Sequence, residues 1–99
     1  MAVDRRDRIE TVLRQALAPQ HVEVVDESAL HAGHAGAAGG GGHFRALVVS
    51  ERFQGQDLLT RQRMVYAALG DAMKSEIHAL ALRTLTPEEW NASEVRRER

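Results

Sequence analysis

With 99 residues the chain is long enough for one modest core and too short for two. Its 43% hydrophobic and 27% charged residues match an ordinary globular protein, and 13 basic against 14 acidic side chains leave a formal charge of -1, so nothing overall marks a nucleic-acid binder. The absence of cysteine excludes a disulfide framework, a zinc ribbon or an iron-sulfur cluster held by the chain's own thiolates; soft-metal chemistry must borrow thiols.

Taken in order, the start mixes Arg5, Arg6 and Arg8 with Asp4, Asp7 and Glu10, which suits neither a signal peptide nor an acid-poor transit peptide. No apolar run approaches the roughly 18 residues needed to span a bilayer, and the cytoplasm is the expected compartment. From Asp4 to Ala18, Ile9, Val12, Leu13, Ala16 and Leu17 recur at three- and four-residue steps and predict an amphipathic helix closed by Pro19. His21 to Glu27 is valine-rich and alternating, a first strand, with His21 an exposed strand residue. Ser28 to Gly42, rich in Ala, Gly and His, has no apolar period and reads as a long mobile loop. His43 to Ser50 resumes a strand, largely apolar on both faces, as a central strand is.

After a turn region from Glu51 to Asp57, a second helix is predicted from Leu58 to Ser75, with Val65, Ala68, Leu69, Ala72 and Met73 as its buried stripe and Gly70 inside it. His78 to Thr84 is the third strand. Thr86, Pro87 and Glu89 then supply an N-cap, a proline at the first helical position and the reciprocal glutamate of a capping box. The order α-β-β-α-β-α predicts an α+β domain over residues 1–92, a three-stranded mixed sheet with helices packed on it, and a charged, frayed tail over 93–99. Val12, Leu13, Val24, Phe44, Val48, Val65, Leu69, Leu80 and Leu82 are the expected core, with Tyr66 and Trp90 as packing residues. A helix between strands two and three favours a parallel crossover. His78 is therefore expected at the sheet end that carries His31, His34 and His43.

This histidine arrangement comes with a set of motifs. Asp26-Glu27-Ser28, His31, His43-Phe44, Val48-Val49-Ser50, Phe53-x-Gly55, Arg61-x-Arg63-x-Val65-Tyr66, Ile77-His78-Ala79-Leu80 and Thr86-Pro87-x-Glu89-Trp90 in order resemble the BolA family, over roughly Ile9 to Trp90. The resemblance implies a fold related to the type II KH domain and an adaptor that pairs with a monothiol glutaredoxin. In such pairs a 2Fe-2S cluster is shared: the glutaredoxin supplies a cysteine, glutathione a second thiolate, and the BolA-like chain histidine. The family's C-terminal ligand maps to His78. The variable ligand of the loop maps best to His31, with His34 an added candidate and His43 orienting the site from outside the ligand set. Two departures stand out: Gln62 replaces a histidine often found between the two arginines, and Gly41-Gly42 replaces a frequent Glu-Ser.

Imidazole in place of thiolate raises a cluster's reduction potential and makes its retention pH-sensitive. On this reading the chain is a monomer alone and a heterodimer with its partner, with no membrane and no small-molecule substrate. The alternative is a DNA-binding transcriptional regulator that uses the KH-like surface, with Arg52, Arg61 and Arg63 near the start of the second helix as phosphate contacts. Gly33-His34-Ala35-Gly36 fits a GxxG pattern but joins two strands here, so by position that match is accidental. No cysteine nucleophile, G-x-S-x-G elbow or phosphate-cradling G-x-x-x-x-G-K is present, which argues against an enzyme.

Overall fold

A computed structural model describes residues 5–27, 42–70 and 77–97. Among them are helix α1 (Arg5–Leu17), strand β1 (His21–Asp26), strand β2 (Gly42–Val49), a 3-10 turn (Glu51–Phe53), helix α2 (Leu58–Leu69), strand β3 (Ile77–Leu85) and helix α3 (Pro87–Arg97). The sheet order is β1-β2-β3. β1 pairs antiparallel to β2, His21 opposite Val49 and Asp26 opposite Phe44, and β3 pairs parallel to it, Phe44 beside Leu80 and Val49 beside Leu85. Both the mixed sheet and the central place of β2 match the sequence reading.

Alternation fixes which side of the sheet is covered. Val22, Val24, Phe44, Ala46 and Val48 point to one face and are buried with Ile9, Leu13 and Leu17 of α1, Val65 and Leu69 of α2, Phe53 and Ile77. Val12, Leu80 and Leu82, expected in this core, are only partly buried and pack against its edge. Ile9, Leu17, Val22, Ala46, Val49, Phe53 and Ile77 complete the core that the sequence list left short.

Local chemistry sets the element ends. Ala18 turns into the left-handed region at φ 44° and closes α1 before Pro19. Asp57 caps α2: its carboxylate accepts from the Thr60 N–H at 2.8 Å, and this bond is the main reason its acidity lies above the ordinary aspartate's. The second helix is shorter than the expected Leu58 to Ser75. Gly70 is its C-cap, not an interior residue: at φ 51° it leaves the helix while its N–H still donates to the Tyr66 carbonyl at 3.0 Å. Ala72 and Met73 of the expected stripe lie outside the described residues.

The capping box of α3 forms as expected: the Thr86 N–H donates to Glu89 Oε1 at 2.8 Å and the Glu89 N–H to Thr86 Oγ1 at 3.2 Å. The helix runs to Arg97, beyond the Ala92 expected as its end. Trp90 reaches back to β1 and stacks on the His21 ring, centroids 4.8 Å apart, and His21 Nε2 lies 2.6 Å from Glu23 Oε2. His21 is thus a packing residue, whereas Tyr66, expected to pack, is 39% exposed.

Two buried hydroxyls give opposite expectations. Ser50 Oγ donates to the Leu17 carbonyl at 2.8 Å and accepts from the Arg52 N–H at 3.1 Å, tying the end of β2 to α1. Ser50→Ala strands both partners and should lower unfolding free energy by about 2 kcal/mol in urea titration. Thr84 Oγ1 is buried with no hydrogen-bond partner among the described residues. Thr84→Val removes that uncompensated group at constant volume and should raise stability by about 1 kcal/mol in the same measurement.

Candidate functional site

The parallel pairing brings the start of β3 to the start of β2. Gly42 pairs with Ile77 and His43 with Ala79, so the register shifts by one residue, and His78 occupies the irregularity between the two pairs. Such an extra residue stands outside the regular ladder, a backbone irregularity common beside functional sites. His43 is half-buried on β2 at the same level. On its other side the Glu27 N–H donates to the His43 carbonyl at 2.7 Å, and the Glu27 carboxylate pairs with Arg45 at 3.0 Å.

The strand flanks Glu27 and Gly42 and the His78 backbone therefore stand at one end of the sheet, as the sequence reading expects. His31 and His34 lie outside the described residues. Gly42, assigned to the loop from sequence, is the first residue of β2. The Phe44 ring lies over it so closely that an added Cβ would stand 2.3 Å from Phe44 Cε2. The glycine at one of the two positions of family departure thus has a packing reason.

The arginines proposed from sequence fare differently. Arg52 Nη1 donates to the Ala16 carbonyl at 2.6 Å and helps hold the 3-10 turn on α1. Arg61 is nearly covered, its side chain 13% exposed, and bridges three elements. It donates to the Gln56 carbonyl at 2.9 Å, the Thr84 carbonyl at 3.3 Å and Glu89 at 2.7 Å. Arg52 and Arg63 are exposed, Arg52 with one of its donors engaged. Exposed cations also occur where no contact was expected, at Arg45 and Arg83 on the sheet face opposite α1 and α2. Alternation of Arg45 against Phe44 and Ala46 carried that signal.

Among the described residues, no three His, Asp or Glu side chains converge as a metal site. With no cysteine in the chain, it can bring imidazole and carboxylate donors to this end but no thiolate. A cluster that takes its remaining ligands from partner thiolates is compatible with that donor set.

The model of the family described as BolA-like protein matches residues 13–89. The DNA-binding transcriptional regulator BolA of Escherichia coli is 46% identical over 85 residues, 86% of this chain and 78% of that one. BolA-like protein 1 of Homo sapiens is 44% identical over 82 residues, and the chain spans only 58% of its length. Among solved structures, a bol-like protein from Babesia bovis superposes with a TM-score of 0.76 at 37% identity, covering 95% of this chain and 96% of that one. BolA1 of Mus musculus superposes with a TM-score of 0.77 at 40% identity, covering 94% and 73%. The chain belongs to the BolA-like protein family.

Several of its relatives are named as DNA-binding transcriptional regulators or BolA-like proteins. No helix among the described residues is long and apolar enough to cross a membrane. A relative at 42% identity, SufE-like protein 1 of Arabidopsis thaliana, is chloroplastic or mitochondrial, so the compartments of the family are not confined to the cytoplasm.

The Arg61–Glu89 contact has a pH signature. Its hydrogen bond from Arg61, with that from the Thr86 N–H, holds the Glu89 carboxyl below the ordinary glutamate range. A lowered folded-state pKa stabilises the fold fully above the ordinary value, and this contribution is lost as pH falls through the folded value. Glu89→Gln should therefore flatten the acid limb of a stability–pH profile and leave its shape from neutral pH upward unchanged. An acid limb as steep as the wild type's would show that the contact is not coupled to folding.

Proposed function

We propose that the chain is an adaptor that holds a 2Fe-2S cluster jointly with a monothiol glutaredoxin and glutathione, in iron-sulfur trafficking or iron and redox sensing. The observation that supports it most is the place of His78: it stands beside His43, at the sheet end where β1 departs and β2 begins. His78 would be the strand ligand and His31 or His34 the second. When bound, the cluster supplies electron transfer or is itself passed on, and imidazole ligation raises its potential relative to an all-thiolate site.

The chain's own residues do the positioning. The ladder from His43 to Val49 fixes the β3 backbone immediately after His78, and the register shift frees His78 from that ladder. Glu27 holds the other side of His43 through the backbone. Without a thiolate of its own, the chain acts as carrier or sensor, not as catalyst, with the cytoplasm as its place of work.

A second reading is favoured by one specific observation, the Escherichia coli relative named as a DNA-binding transcriptional regulator. On that reading Arg61 is a poor centre for the contacts, because it is largely covered and its donors are engaged with the Gln56 and Thr84 carbonyls and with Glu89.

The two readings separate when the chain is mixed with a cluster-loaded monothiol glutaredoxin and glutathione and followed by visible absorption and circular dichroism. A new spectrum is expected that His78→Ala abolishes and that either His31→Ala or His34→Ala weakens, with far-ultraviolet dichroism unchanged. A mixture whose spectrum is the sum of its parts, with no complex on a sizing column, would overturn the adaptor reading.

A further inference from the structure

We propose that the flat basic band along β2 and β3, on the sheet face opposite α1 and α2, contacts the phosphate backbone of duplex DNA, with Arg45 and Arg83 as the contacting side chains. The proposal rests on the DNA-binding reading above and gives that reading a surface other than the start of α2.

Strand alternation puts Phe44, Ala46 and Val48 beneath the helices and His43, Arg45 and Leu47 on the opposite face. In the β2–β3 register Arg45 lies beside Ala81 and Leu47 beside Arg83. The two arginines therefore stand on a diagonal, their Cα atoms about 8 Å apart for ordinary strand rise and spacing. Both side chains are exposed, as are Ala79 and Ala81, whose small size leaves the β3 edge flat enough for a rod-like polyanion to approach. Arg45, Leu47, Ala81 and Arg83 line one shallow groove.

The chemistry of the band selects the ligand. Among the described residues it carries no Phe, Tyr or Trp, and its one imidazole, His43, is half-buried, so a single strand finds little stacking platform there. What it offers is guanidinium, whose planar donors fit phosphate oxygens and carry no base readout by themselves. The face is also polarised. Glu23 lies on the β1 side of the same groove, and the Glu27 carboxylate lies 3.0 Å from Arg45. A polyanion is thus repelled from β1 and guided along β2 and β3, and Glu27 competes with it for Arg45.

The test is fluorescence anisotropy with a labelled duplex of mixed sequence, over about 50 to 200 mM salt. Wild-type binding should fall steeply with salt. Arg45→Ala and Arg83→Ala should each weaken it several-fold and reduce the slope of log affinity against log salt by about 1. Glu27→Gln should tighten binding several-fold by releasing Arg45, a gain that no loss of folding can mimic. Arg63→Ala, on α2, should bind as wild type does. If wild type binds the duplex but Arg45→Ala and Arg83→Ala bind equally well, or Arg63→Ala alone weakens binding, this placement is wrong and the DNA-binding reading survives it. If wild type shows no salt-sensitive binding, the reading and the placement fall together.

Discussion

The parallel pairing of β2 with β3 is the constraint on which the core and the candidate site both depend. Parallel neighbours cannot be joined by a tight turn, so the chain must cross back over the sheet, and α2 is the described part of that crossover. The same crossover lays Val65 and Leu69 over Phe44, Ala46 and Val48 and returns the chain to the end at which β2 began. His78 comes to His43 for this reason, although 35 positions separate them in sequence. Burial of β2 on its helix side makes the register hard to slip, because a one-residue shift of β3 would turn Leu80, Leu82 and Thr84 away from the helices.

The opposite end of the sheet is tied by polar contacts rather than by apolar burial alone. Ser50 joins β2 to α1, Arg52 joins the 3-10 turn to α1, and Arg61 joins α2 to the end of β3 and to Glu89 of α3. Trp90 then returns α3 to β1 through His21. These contacts explain why conspicuous arginines near a helix start are poor guides to phosphate binding here. A guanidinium already bonded to carbonyl oxygens and a carboxylate has few donors to offer, and removing it leaves partly buried acceptors unpaired.

Much of the fold was legible in the sequence because its signals are local. Alternation in β1 and β2, the three- and four-residue spacing in α1 and the Thr86–Glu89 box each act within one element, and each formed where expected. Ends and tertiary partners were less legible. Gly70 reads as a helix interior because apolar residues resume after it, yet its freedom at positive φ suits it to stop the helix. Phe53 sits in a turn that has no periodicity, and its burial follows from where the 3-10 turn folds back, which no pattern of neighbours states. The same holds at the site: the meeting of His43 and His78 follows from topology, whereas the register shift that releases His78 and the Glu27–Arg45 pair follow from geometry across strands.

The two ends of the sheet therefore carry different burdens. At the end held by Ser50, Arg61 and Trp90, each of these side chains links one element to another, and this end serves the fold. At the other end the parallel pairing brings the start of β3, with the His78 backbone, to His43 at the start of β2, and the chain has no cysteine to place there. The basic diagonal of Arg45 and Arg83 begins one strand repeat from His43 on the face opposite α1 and α2. The topology alone makes the candidate histidine end and the basic diagonal neighbours in the fold, because His43 and Arg45 are alternate residues of one strand.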